Sequence, residues 1–131
     1  MTDTSVAPGD PGLASRLAGA LRGEVRFDAF TRGLYSTDAS HYQIEPLGVV
    51  FPRSVEDVEA TLQVAREEGL PVLPRGGGTS QCGQTVGRAI VMDTTRHLTV
   101  IGPAPHGGGT PTIEVEPGVV LDHLNARLRA E

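Results

Sequence analysis

The 131-residue chain contains no lysine; all eleven basic side chains are arginine. A P-loop needs lysine on its phosphates, and pyridoxal or other Schiff-base chemistry needs a lysine amine, so neither is encoded here. Cysteine is nearly absent as well. The single thiol, Cys82, allows no internal disulfide and no four-cysteine metal or iron–sulfur site, and it fits a reducing cytoplasmic setting. No strictly apolar run exceeds four residues, so no segment reads as a membrane-spanning helix. The first five residues, MTDTS, have neither a basic segment nor an apolar core and do not read as a secretory signal. Positive charge is in short supply: sixteen acidic residues against eleven arginines give a net charge of -5, which argues against nucleic acid as a partner.

What is present is a globular composition. Apolar residues make up 38% of the chain, and 17 glycines and 10 prolines mark it as loop-rich. The length suits one domain. Residues 1–12 are small, polar and rich in proline and glycine, and are expected to be a disordered leader. The remaining residues, 13–131, are expected to form one unit. Leu13, Leu17 and Leu21 recur at helical spacing and predict a helix near 13–22, stopped by Gly23. Val25 and Phe27 suggest a short strand, residues 30–35 a helical turn, and residues 36–46 an ordered loop.

The strongest structural signal lies at 48–74. Residues 48–51 read as a short buried strand ended by Pro52. Ser54 is a natural N-cap, with Glu56 and Asp57 at the positive helix end. Val55, Val58, Leu62 and Ala65 form an apolar stripe on a helix over 54–68, and Gly69 closes it. Glu56, Asp57, Glu59, Arg66, Glu67 and Glu68 are assigned to its solvated face. A second strand at 71–74 completes a βαβ unit, which predicts a small parallel sheet with flanking helices, an α/β (α+β) fold. Further strands are expected at 89–92, 98–101 and 112–115, with a flexible loop over 102–111. A last helix is expected over 119–131, with Val120, Leu124 and Leu128 on one face. No helix stop precedes Glu131, so the sequence is expected to be the front part of a longer chain.

One segment carries chemistry. Pro74 to Thr85 (PRGGGTSQCGQT) follows a strand directly. Three consecutive glycines are costly to order, and without Cβ atoms their N–H groups can turn toward one point as an anion nest. Thr79 and Ser80 add hydroxyl donors and Arg75 adds fixed positive charge, so the segment reads as a diphosphate cradle, against the plainer reading of a glycine turn between strands. A Rossmann loop would open a helix after G-x-G-x-x-G. Here Gly83, Gly87 and a strand follow, so the spacing does not suit NAD in that fold.

Four pieces occur in order: P-R-S-V-E-D at 52–57, P-R-G-G-G-T-S at 74–80, G-Q-T-V-G at 83–87 and E-P-G-V at 116–119. On these, residues 30–131 resemble the start of an FAD-linked oxidase with a p-cresol methylhydroxylase (PCMH) type FAD-binding domain. Within that superfamily they are most similar to the group of glycolate oxidase flavin subunits and D-lactate and D-2-hydroxyglutarate dehydrogenases. The resemblance implies that 13–131 is the first subdomain of that FAD-binding fold. It implies FAD as cofactor, with Arg75, Gly76, Gly77, Gly78, Thr79 and Ser80 around the pyrophosphate. Gly83 and Gln84, with Thr85 next to them, would lie near the flavin and ribityl chain, and Pro117 and Gly118 would also lie on the cofactor. Thr79 stands where some relatives tether FAD to a histidine, which implies non-covalent binding. The implied activity is oxidation of a 2-hydroxy acid by hydride transfer to FAD, with electrons passed to an acceptor the sequence does not name.

The family's ring-covering subdomain and substrate domain have no counterpart in these 131 residues. Any iron–sulfur cluster would need sequence further along. The chain by itself is therefore expected to be inactive, with no catalytic residue assigned to it. Two rival readings remain: an NADPH-dependent reductase of a cell-wall precursor on the same fold, and a non-catalytic fragment that binds a nucleotide or a partner. The intact enzyme is expected in the cytoplasm, with peripheral membrane association left open. His41, His97, His106 and His123 lack the spacing of a metal site, so no metal ligand is assigned. Asp38, in the T-D-A-S run, is read as the cap of a local turn, Asp93 as turn chemistry, and Cys82 as a buried, inert thiol.

Overall fold

The computed structural model describes residues 6–103 and 110–130. The first five residues of the expected leader, most of the expected 102–111 loop with His106, and Glu131 lie outside the described residues. The described elements are α1 (Pro11–Ala20), β1 (Glu24–Arg26), α2 (Ala29–Leu34), β2 (Gly48–Phe51), α3 (Val55–Glu67), β3 (Val72–Arg75), β4 (Ile90–Asp93) and α4 (Leu121–Arg129). None of these helices is long and apolar enough to cross a membrane.

α1 starts two residues before the leucine pattern, because Asp10 accepts from the Leu13 amide and Pro11 sits where its missing N–H costs nothing. The Gly9 amide donates to Leu47 O at 2.8 Å, so this part of the expected leader is built into the fold.

β2, β3 and β4 run parallel, in the order β1-β2-β4-β3. The two strands of the βαβ unit therefore do not pair with each other; β4 returns between them. β1 adds antiparallel to the free edge of β2, so the sheet is mixed rather than purely parallel. β2 and β4 are buried at all eight positions, which explains the apolar run at 49–51 and the one at 89–92 that leads to Asp93. Alternation splits them between two layers. Leu47, Val50, Ile90 and Met92 meet Leu13, Leu17 and Leu21 of the α1 region and Val64 and Ala65 of α3. Val49, Phe51 and Val91 pack on the other face, with Tyr35 and Leu73 against them. Each large side chain fully buried here contributes about 1.5–3 kcal/mol.

Two expectations need correction. The strands at 98–101 and 112–115 reduce to a single antiparallel bridge, Ile101–Val115, flanked by hydrogen bonds from Gly102 N to Glu114 O and from Glu116 N to Val100 O. The last helix, α4, forms within its expected span with none of its residues buried, and Val120 caps it without a side-chain hydrogen bond. On α3 the buried row is Asp57, Thr61, Val64 and Ala65, whereas Val55 and Leu62 are exposed. The stripe was displaced because two polar residues satisfy themselves inside. Thr61 Oγ1 donates to Asp57 O at 2.8 Å. The Asp57 carboxylate, 3% exposed, accepts the amides of Arg22 and Arg53, each at 2.9 Å.

Asp57 thus ties the α1–β1 turn to the β2–α3 turn, while Ser54 caps α3 as its sequence suggests. Burial alone would raise the Asp57 pKa. The amides of Arg53, Arg22 and Gly23 outweigh burial and hold it below its ordinary value. Its contribution to stability is therefore complete above the unfolded-state carboxyl value of about 4 and is lost as the pH falls through the lower folded value. Asp57→Ala should destabilise the fold by about 3 kcal/mol, since buried amides lose their acceptor. In denaturant melts across the acid range, wild-type stability should fall below about pH 4 more steeply than that of the variant. Parallel curves would remove Asp57 from this role.

Candidate functional site

The parallel strands end together. Phe51, Arg75 and Asp93 close β2, β3 and β4 at one edge of the sheet, with Arg75 level with Asp93. Ligands of open α/β sheets lie at such carboxyl ends, and the Gly-rich segment leaves from this edge.

Arg75 is half-buried and turned back on the protein. Its guanidinium donates to Thr85 O at 3.1 Å and to Thr37 O at 2.9 Å, and it lies 5.0 Å from the centre of the Tyr35 ring. Beyond it the chain is open. Among the described residues, the amides of Gly76, Gly77, Gly78, Thr79 and Ser80 make no hydrogen bond to another protein atom. A Cβ on Gly76 would meet nothing within 4 Å, and one on Gly77 only the Thr79 methyl at 3.6 Å. The opposite side of the loop is closed. Gly78 has φ +66° and Gly83 φ +77°, and added Cβ atoms would strike the Arg75 guanidinium at 2.5 Å and the Tyr42 ring at 2.6 Å. One side of the loop thus abuts protein, and the other offers a run of unengaged N–H donors.

Ser80 and Gln84 form a turn of their own. Ser80 Oγ accepts from the amides of Cys82 and Gln84 and bonds the Gln84 side chain, so its hydroxyl organises the loop. Cys82 projects from this turn and is exposed, which corrects the expected buried thiol; the polar turn has no core to bury it in.

Pro117 and Gly118 come to the same edge by a relay. Thr94 N donates to Arg75 O at 3.1 Å, Gly118 N donates to Leu98 O at 2.8 Å, and a Cβ on Gly118 would lie 2.1 Å from Thr94 O. The ten expected site residues therefore fall into two groups on one edge, 75–84 and 117–118, with Thr94 between them.

The loop over 36–43 completes the site, and composition gave little sign of it. Asp38 Oδ1 accepts the Ser40 amide at 2.8 Å, the local turn cap that its sequence suggests. Its other oxygen accepts from Thr85 Oγ1 at 2.9 Å, a contact 47 residues away that spacing cannot reveal. Behind the edge, Tyr35 donates to Asp93 Oδ2 at 2.5 Å and meets Phe51 edge-on, while Asp93 Oδ1 takes both the amide and hydroxyl of Thr95. His41 stacks on Tyr42, and His97 pairs with Glu24, which also binds Arg96. His123 is exposed. Among the described residues no cluster of three or more His, Cys, Asp or Glu side chains could hold a metal.

A loop of glycine amides at the carboxyl edge of a parallel sheet suits a dinucleotide, and family comparison names it. Residues 46–131 match the model of the FAD binding domain. The chain belongs to this family. It is 42% identical over 98 residues to the D-2-hydroxyglutarate dehydrogenase of Escherichia coli (strain K12), covering 72% of this chain and 9% of that enzyme. It is 36% identical to the enzyme of the same name from Pantoea ananatis, covering 91% and 12%. It is 33% identical to glycolate oxidase subunit GlcD of Bacillus subtilis, covering 81% and 23%. The chain thus spans about a tenth of the length of the two dehydrogenases. Among solved structures, an alkyldihydroxyacetonephosphate synthase superposes with a TM-score of 0.73 at 20% identity, covering 92% of this chain and 25% of that one. A chitooligosaccharide oxidase superposes with a TM-score of 0.70 at 19% identity, covering 90% and 25%. These two carry the fold alone. The expected PCMH-type α/β architecture and FAD as cofactor are borne out.

Burial, followed by the hydrogen bond and charge of Asp93, pushes the Tyr35 hydroxyl well above its ordinary pKa. The neutral phenol therefore supports the fold fully below about pH 10 and loses that support as the pH rises further. Tyr35→Phe should cost about 1–2 kcal/mol by leaving Asp93 short of a donor. It should also delete a late, unfolding-linked step from the alkaline tyrosinate absorbance titration. An unchanged titration would show that Tyr35 is not the shielded phenol.

Proposed function

We propose that this chain supplies the diphosphate-holding part of an FAD-dependent dehydrogenase that oxidises a 2-hydroxy acid, with D-2-hydroxyglutarate the first substrate to test. The observation that carries the reading is the row of amides from Gly76 to Ser80, a donor array with no acceptor among the described residues, at the sheet edge of an FAD-binding fold. Backbone N–H groups fixed in a turn bind phosphate oxygens without any lysine. The names of the curated relatives support the substrate class.

FAD when bound supplies the hydride acceptor; the protein supplies position, electrostatics and exclusion of water. Gly76, Gly77 and Gly78 would place their amides on the diphosphate, with the Thr79 and Ser80 hydroxyls at its flank. Arg75 would add long-range charge while its guanidinium holds Thr37 and Thr85. Gly83 and Gln84 would continue along the ribityl side, and Pro117 and Gly118 would close the same edge. Thr79 offers no nucleophile for a histidyl-type tether, which supports non-covalent binding. The setting we propose is the cytoplasm. The groups that handle the hydroxy acid would lie outside these residues, and the electron acceptor is unassigned.

Two measurements test this on the intact protein. D-2-hydroxyglutarate or D-lactate should bleach the oxidised flavin under anaerobic conditions, whereas NADPH should not; bleaching by NADPH alone would favour a reductase instead. Gly77→Val should fold normally, because its Cβ would meet only the Thr79 methyl, at 3.6 Å, yet bind FAD at least tenfold more weakly, a loss of about 1.4 kcal/mol per tenfold. Stoichiometric FAD in that variant would sink the diphosphate assignment.

A further inference from the structure

The Gly-rich loop poses a problem that its own sequence does not solve. Three adjacent glycines lose more backbone freedom on ordering than any other triplet, and a ligand that had to order them would bind weakly. Something in the protein has to hold the loop beforehand. The contacts on its closed side come from the 36–43 loop. Arg75 donates to Thr37 O, Ala39 N donates to Gly78 O at 3.1 Å, and the Tyr42 ring lies against Gly83. The Asp38 carboxylate stands among these contacts, with one oxygen on its own turn at Ser40 and the other on Thr85.

We infer that Asp38 is a positioning residue for the FAD site: through Thr85 it clamps the 36–43 loop behind residues 75–85 and pre-orders the amides that meet the diphosphate. The inference rests on the reading of 75–80 as the diphosphate site. Asp38 needs no contact with the cofactor for this role. Its two oxygens have separate tasks, and a single local turn would use only one of them. The Ser40 hydroxyl first, then the Ser40 amide and Thr85, hold its carboxyl down at about 2 against the opposing effect of burial, so the clamp stays charged at neutral pH. Arg75 bonds the carbonyls of Thr37 and Thr85, the residue before Asp38 and the residue Asp38 binds, and so braces the same junction.

Charge alone predicts the opposite outcome, which makes the inference testable. A carboxylate beside an anion site repels the anion, so its removal should tighten FAD binding if electrostatics were its main effect. The clamp requires weaker binding. In the intact protein, stripped of flavin and titrated with FAD by fluorescence quenching, Asp38→Ala and Thr85→Val should each raise the Kd about tenfold. Thr85→Ser, which keeps the hydroxyl, should stay within about twofold of wild type. Hydrogen exchange of the apoprotein gives a second readout that a direct contact to FAD would not move. Amides of 76–85 should exchange about tenfold faster in Asp38→Ala and Thr85→Val, with those of β2 and β4 unchanged.

Unchanged or tighter binding in both variants, or unaltered loop exchange, overturns the clamp. Faster exchange throughout the sheet would assign Asp38 to general stability and overturn it as well. Failure of the wild-type apoprotein to take up FAD would defeat the diphosphate reading itself, and the clamp with it.

Discussion

The candidate site depends on β4 pairing in parallel with both β2 and β3. If β2 and β3 paired directly, as a minimal βαβ unit would, the turn after Asp93 would leave from the outside of the sheet. With β4 in the middle, that turn is flanked by the end of β2 on one side and the Gly-rich loop on the other. Thr94 can then reach Arg75 O with its amide while its own carbonyl packs so closely on Gly118 that no Cβ fits there. Tyr35 can reach Asp93 only because β4 is central and Phe51 stands next to it. Three segments distant in sequence thus become neighbours through one choice of strand order.

Much of this was legible from sequence where a residue's environment is local. Ser54 announces its helix because an N-cap needs only its own first turn. The short apolar runs at 49–51 and 89–92 announce strands covered on both faces. The Gly-rich segment announces itself because three glycines have few uses other than turns and close approaches. What was not legible depends on partners far along the chain. Asp57 and Thr61 look like surface residues, and their burial requires the turns at Arg22 and Arg53 to arrive with amides to spare. The apolar stripe on α3 failed for this reason: Val55 and Leu62 lost their inward positions to polar residues that were already satisfied. The 98–101 and 112–115 segments have strand-like composition, yet apart from buried Leu98 they are mostly exposed, and they pair at a single bridge.

The candidate site shows the same division. Its donor face could be read from glycine spacing; its supporting wall could not. Asp38 and Thr37 carry their information in a carboxylate oxygen and a carbonyl that meet the other loop only after folding. Cys82 illustrates the opposite error. Small apolar residues are usually buried in such a position, but the Ser80–Gln84 turn closes on itself through the Ser80 hydroxyl and leaves the thiol outside.

A protein with net charge -5 and no lysine is an unpromising host for a dinucleotide diphosphate if binding is a matter of charge. Its nearest guanidinium, Arg75, is largely committed to two carbonyls and an aromatic ring. What remains is short-range: a row of amide dipoles whose N–H groups meet no acceptor among the described residues. Such dipoles fall off quickly with distance, so they bind well only when several point at one place at once. That requirement puts the burden on backbone geometry. It explains why the residues around the donors are glycines on one side and a cross-linked loop of Thr37, Asp38, Ala39 and Tyr42 on the other. On the proposed reading, an anion site here would rest on rigidity that places ordinary amides well, with the charged residues serving mainly to provide that rigidity.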